Sequence, residues 1–277
     1  MLIQWIDGIP YRLKAPFDFS FLQQYGKVFQ VFDDQDSGNI CFGLADTDKR
    51  YFLKFAGAPT ERACISAEEA VANLKCGAPV YRDLAHPNLV TLLDAEAIGG
   101  GFALIFEWTD GLCMGRQYPL SRETFRQLPI ETKLRIFEDI LVFHAHVAAR
   151  GYAAIDFYDG SVLYDFQRGV TLICDIDFYV KMPYVNRMGR LWGSSRFMSP
   201  EEFQLGAEID EITNVYTMGA MAFALFADSE CSPEVWPLDG DLYAVARRAV
   251  SDDRSRRQQS IEQLIAEWNI KYDLYNI

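Results

Sequence analysis

Between Gly151 and Tyr179 the chain reads GYAAIDFYDGSVLYDFQRGVTLICDIDFY. An acid at Asp156 is followed by the apolar pair Val162–Leu163 and a polar, glycine-containing turn at Asp165–Gly169. The apolar run Val170-Thr-Leu-Ile-Cys174 comes next and ends on two more acids, Asp175 and Asp177. Short apolar runs about such a turn predict a tight β-hairpin. Two carboxylate-bearing segments joined in this way are what metal-assisted phosphoryl transfer needs. One acid orients the attacking hydroxyl, and another holds Mg²⁺ against the phosphates. An Asp at a strand end also serves as an ordinary turn or cap residue, so the neighbouring segments decide between the two.

The chain has 277 residues and is 50% hydrophobic, enough for a large core or for two lobes sharing a cleft. A net charge of −13 argues against nucleic acid or an anionic membrane as the main partner. The first residues, Met1-Leu-Ile-Gln-Trp-Ile-Asp, lack the basic start and apolar core of a signal peptide. The longest apolar run, Val215–Ala227, is too short for a bilayer and reads as a buried helix. The six cysteines are scattered without a C-x-x-C pair and read as reduced core residues. These features predict a soluble, cytoplasmic protein whose oligomeric state they leave open.

In the first hundred residues, strand-like runs follow one another. Lys27–Phe32 and Asn39–Ala45 flank the polar tip Asp33-Asp-Gln-Asp-Ser-Gly38, which predicts a hairpin and a solvated turn. Arg50–Phe55 is a third strand, with Lys54 between apolar neighbours. A helix is expected from Thr60 to Cys76-Gly77, ended by Pro79. His86–Asp94 and Gly101–Trp108 read as two further strands. A five-stranded antiparallel sheet with one helix between its third and fourth strands is an α+β arrangement.

This order of parts resembles the protein kinase family, and His86-Pro-Asn-Leu-Val-Thr-Leu-Leu-Asp94 looks like that family's helix-to-fourth-strand connection. The resemblance implies a two-lobed fold. A small antiparallel-sheet lobe with one helix would span residues 1–108, and a larger, mainly helical lobe residues 109–277. It also implies ATP and Mg²⁺ as cofactors. Lys54 would then grip the phosphates, paired with Glu68 from the helix; Glu69 is nearly as good a partner. Phe106 would gate the adenine pocket, Glu107 and Thr109 would offer hinge backbone groups, and Ile40 and Leu163 would contact the nucleotide.

Further motifs carry the resemblance through the second half. Ala154-Ile155-Asp156 falls where kinases carry H-R-D, Ser161 at the metal-binding asparagine, and Asp175-Ile-Asp177 at D-F-G. Asp156 would orient the substrate hydroxyl, and Asp175, Asp177 and Ser161 would hold metal. Gly193-Ser-Ser-Arg-Phe-Met-Ser-Pro-Glu201 is similar to G-T-x-x-Y-M-A-P-E, which underlies a peptide substrate in that family. Asp210–Gly219 resembles D-x-W-S-x-G, with Asn214 in place of the aspartate. Asp253–Leu264 resembles D-P-x-x-R-x-x-S, which implies that Arg257 pairs with Glu201.

Several positions depart from the pattern. The hairpin tip keeps only Gly38 of G-x-G-x-x-G and adds three carboxylates where phosphates would lie. Phe52 replaces a small residue two before the lysine, Ile155 replaces the arginine that answers a phosphorylated segment, and Tyr158 replaces a lysine. Lys54, Asp156 and Asp175 are all retained. The sequence therefore predicts a serine/threonine-type protein kinase, slow or unregulated, acting on a protein substrate. A pseudokinase scaffold with a protein partner is the alternative. A small-molecule kinase, resting on Asp175-Ile-Asp177, is the third reading.

Overall fold

The computed structural model describes residues 1–275. The chain is mixed α+β with antiparallel sheets, and it divides into two compact units. One comprises residues 1–85 and 90–110, the other residues 86–89 and the chain from Gly111 onward. The division falls two residues beyond the expected boundary and assigns His86–Leu89 to the second unit.

The first unit opens with a hairpin of β1 (Leu2–Ile6) and β2 (Ile9–Leu13). Its turn is Asp7-Gly8, both at positive φ, the backbone that this dipeptide favours. A five-stranded sheet follows, built from β3 (Lys27–Phe32), β4 (Asn39–Ala45), β5 (Arg50–Ala56), β6 (Leu92–Ile98) and β7 (Gly101–Glu107) in the order β3-β4-β5-β7-β6. Side chains alternate across a strand. One face carries Ile40, Phe42 and Leu44 of β4 with Leu53 and Phe55 of β5 and Ile105 of β7, packed on Leu13 and Phe19 as the core of this unit.

Helix α1 (Ala67–Asp83) packs against β5, β6 and β7 on the other face, where Tyr81 meets Phe106. It differs from expectation at both ends. Thr60 is buried and bridged to Leu13, and the helix starts seven residues later, where the Ser66 hydroxyl accepts the Glu69 N–H. Pro79 lies inside α1 and does not end it. An interior proline costs roughly 3 kcal/mol. Burying Val80 and Tyr81 beyond it offsets that, at about 1.5–3 kcal/mol for each large apolar side chain.

The second unit is mainly helical. It holds β8 (Leu112–Cys113), α2 (Pro119–Arg126), α3 (Ile130–Ala149), β9 (Tyr152–Ala153), β10 (Val162–Asp165) and β11 (Val170–Ile173). After these come β12 (Val180–Lys181), β13 (Tyr184–Val185), β14 (Glu208–Ile209), α4 (Glu211–Ala227), α5 (Gly240–Ala249) and α6 (Ile261–Tyr275). The expected apolar run forms the buried helix α4, packed by α3, α5 and α6. Asp210 caps α4 by accepting from Ile212 and Thr213 N–H groups. Where α4 meets α5, Gly219 leaves no room for a side chain: a Cβ there would lie 2.7 Å from Ala249 Cβ.

Among the described residues no helix is long and apolar enough to cross a membrane. None of the six cysteines is in a disulfide, but the expectation that most are core residues is corrected. Cys41 is buried, whereas Cys64, Cys76 and Cys231 are exposed.

Candidate functional site

In the second unit, Asn214 of α4 fixes the approach to Asp156. Its Oδ1 accepts the Ala154 N–H at 2.7 Å, and its Nδ2 donates to the Tyr152 carbonyl at 3.0 Å. A buried side-chain amide with a donor and an acceptor spans the two backbone groups of the loop. Asp156 follows at φ 64°, and Asp175 has φ 59°. Left-handed backbone costs an ordinary residue roughly 1–2 kcal/mol, and Asp is among the residues that tolerate it best. Strain of this kind gathers where a side chain must be aimed.

The expected hairpin is β10–β11, with Val162 opposite Ile173. Just before it, the turn Asp159–Ser161 is tied to the acid-bearing segment by the Cys174 N–H, which donates to the Ser161 carbonyl at 2.9 Å. The Ser161 side chain is fully buried, and its Oγ has no hydrogen-bond partner. Burial raises the Tyr158 phenol above its ordinary value, and the charges of Asp175 and Asp156 push it further. Burial also raises the Tyr179 phenol, again with both carboxylates contributing. The charges of the two acids thus act on the same pair of phenols. Tyr158 lies over Gly160, where a Cβ would meet its ring at 2.2 Å.

Tyr179 is positioned by His144. His144 Nδ1 is 2.8 Å from the Ile140 carbonyl, which can only accept, so Nδ1 carries the proton. Nε2 then accepts from the Tyr179 hydroxyl at 3.0 Å. Burial lowers the His144 pKa to about 4, so the ring is neutral. His144 is a fully buried packing residue.

Two ion-pair networks flank this loop. Asp159 is fully buried and accepts from Nη1 and Nη2 of Arg196 at 2.9 Å, and from Arg122 at 2.9 Å. Arg122 also pairs with Asp228. Arg122 and Arg196 carry no motif that marks them as partners of Asp159. Their positions in an amphipathic helix and a loop gave no cue to a carboxylate 37 residues away. The second network brings Glu201 and Arg257 together: Nη1 and Nη2 lie 2.7 and 3.0 Å from the two carboxylate oxygens. Thr213 and Arg254 also donate to Glu201.

In the first unit, Lys54 is buried on β5, opposite Cys41 of β4 and Leu104 of β7. Phe52 and Phe106 share its face, and Phe32 and Tyr81 extend the ring cluster, with centroids 4.9 to 6.3 Å apart. Phe106 therefore lies on the same face as Lys54. Ile40 does not. It points into the opposite, core face, and the alternation of β4 gives Cys41 the place expected of Ile40.

Glu68 and Glu69 both lie exposed in the first turn of α1. The face that α1 turns to the sheet carries Ala70, Leu74, Gly77, Ala78 and Tyr81. The Glu107 N–H is taken by the Thr91 carbonyl at 3.0 Å. Thr109 and Leu163 are half-buried. Two of the three carboxylates of the hairpin tip are paired within their own unit: Asp33 is held by Arg12 through two side-chain bonds, and Asp34 by Arg62. The side-chain hydrogen bond from Arg12 is the main reason that the Asp33 carboxyl titrates below its ordinary range, against burial, which raises it.

For a hard divalent cation the donor chemistry is suitable: two carboxylates at Asp175 and Asp177, and the buried Ser161 hydroxyl without a protein partner. Among the described residues, no group of three or more His, Cys, Asp or Glu converges as a metal cluster. No protein-family model matches the chain, and no curated protein matches it.

Proposed function

We propose that this chain is a protein kinase-like phosphotransferase that moves the γ-phosphoryl group of ATP to a hydroxyl of a protein, with Mg²⁺ as cofactor. The observation that carries the reading is that Asp156, before β10, and Asp175, just after β11, act on the same two phenols, those of Tyr158 and Tyr179. Both acids have left-handed backbone. Asp156 accepts a hydrogen bond from the acceptor hydroxyl and aims its oxygen lone pair. Asp175, Asp177 and Ser161 are the oxygen donors that would hold the metal, and Lys54 is the cation for the phosphates. Mg²⁺, when bound, spreads and neutralises the charge of the triphosphate. Asn214 sets the loop, and Tyr158 and Tyr179 keep neutral phenols against the carboxylates. The test is transfer of radiolabel from ATP to a generic acceptor protein, lost in Asp156→Asn.

A second reading, a pseudokinase scaffold, is favoured by the first unit. Phe32, Phe52 and Phe106 crowd the Lys54 face, and the buried face of α1 has no carboxylate. A thermal-shift measurement separates the two, because a ligand of the native state raises the melting temperature by mass action. A shift with millimolar Mg-ATP that vanishes in Lys54→Met supports the enzyme. No shift supports the scaffold.

A further inference from the structure

In a chain of net charge −13, the segment Phe178–Pro200 contains Lys181, Arg187, Arg190 and Arg196 and no Asp or Glu. Two of these charges are already engaged locally. Arg196 is committed to Asp159, and Lys181 lies over the Tyr152 ring at 3.9 Å while donating to the Arg150 carbonyl. Arg187 and Arg190 differ. Both are exposed, and neither forms an ion pair with a carboxylate among the described residues. Arg190 donates only to the neutral carbonyls of Leu191 and Gly193 and stacks on Phe203 at 5.6 Å.

The loop that displays them is pinned from beneath. Asn186 is fully buried; its Nδ2 donates to the carbonyls of Gly189 and Glu202, and its Oδ1 accepts from the N–H groups of Met188 and Gly189. The Leu191 N–H donates to the Glu202 carbonyl at 2.9 Å. So fixed, the loop exposes two large apolar side chains, Met188 and Trp192, beside the two cations. The segment also passes Asp156: a Cβ on Gly193 would lie 3.6 Å from the Asp156 Cα.

Exposed arginines beside an exposed tryptophan and methionine, held by a buried amide, make a surface with both a charge and an apolar requirement. We propose that the face displayed by this segment docks an acidic peptide segment of a protein partner. Its carboxylates would lie on Arg187 and Arg190, and its apolar side chains against Met188 and Trp192. Bidentate pairing suits guanidinium to carboxylate. An extended polyanion is disfavoured, because it would reach well past the strip into the field of an acidic protein, which acts over about 8 Å at physiological salt. That the docked peptide is also the phosphoryl acceptor rests on the phosphotransferase reading; the docking does not.

The test uses the full chain without nucleotide. Fluorescence anisotropy follows a fluorescein-labelled peptide of Glu, Asp and Leu around one serine, alongside an analogue with Lys for each acid. The expected result is binding of the acidic peptide alone, weakening with salt, and about tenfold weaker in Arg187→Gln/Arg190→Gln. Trp192→Ala weakens it without changing the salt slope. Equal binding of the basic analogue, or an unchanged affinity in the double variant, overturns the proposal. Tighter binding of single-stranded DNA or phosphatidylserine vesicles also overturns it, and assigns the strip to those ligands. Adding Mg-ATP separates the two readings: a peptide that binds but takes no label leaves the docking intact and counts against phosphoryl transfer.

Discussion

Arg257 has no exposed surface, and it reaches both carboxylate oxygens of Glu201, 56 residues away in the chain. Removing one partner of such a pair strands the other in a low-dielectric interior. Arg257→Met is therefore expected to cost about 3–5 kcal/mol in urea denaturation. Arg257→Met combined with Glu201→Leu should recover part of the loss, because no charge is then left unpaired.

The same pair makes stability fall in acid. Burial raises the Glu201 carboxyl, but hydrogen bonds and charge from Arg257, with Arg254, outweigh it and hold the pKa below 4.5. A depressed carboxylate contributes stability that is fully present above its unfolded value and lost as pH falls through its native value. Melting temperatures recorded below pH 4.5 should fall less steeply in the double variant than in the parent.

His144 acts between pH 6.5 and about 4. Its native pKa of about 4 lies below the ordinary 6.5, so the unfolded chain binds the extra proton and stability declines as pH falls across that window. The loss is on the order of 3 kcal/mol. His144→Gln keeps a donor for Ile140 and an acceptor for Tyr179 but cannot titrate. The stability difference between parent and variant should therefore shrink as pH falls. That difference isolates His144, because Glu202, its buried carboxyl pushed up to about 7, titrates in the same window with the opposite sign.

Gly219→Ala should destabilise the packing of α4 on α5 by about 1–3 kcal/mol. The new methyl would meet Ala249 Cβ at 2.7 Å and Val250 Cγ1 at 2.9 Å. A lowered urea midpoint with an unchanged slope is the expected outcome.

Local pattern made much of the fold legible. The hairpin tip at Asp33–Gly38, the apolar alternation of β4 and β5, the β10–β11 turn and the apolar length of α4 all follow from spacing that a chain fixes within ten or so residues. What it concealed depends on distant partners. α1 runs through Pro79 because Val80 and Tyr81 find burial against the sheet, which no helix-stop rule registers. Ile40 and Cys41 differ by one residue, and strand register alone decides which of them shares a face with Lys54. The burial of Asp159 has no local signal, since the arginines that neutralise it come from α2 and from the loop at Arg196. The β1–β2 hairpin has a local signal of its own in the turn dipeptide Asp7-Gly8.

The phosphotransferase reading rests on Asp156 and Asp175, and label transfer from [γ-³²P]ATP in Mg²⁺ measures it most directly, with the parent, Asp156→Asn and Asp175→Asn compared at equal folded concentration. The account predicts transfer by the parent and a loss of at least about a hundredfold in each variant. Equal labelling by all three proteins, or none by a parent that binds Mg-ATP, would contradict it.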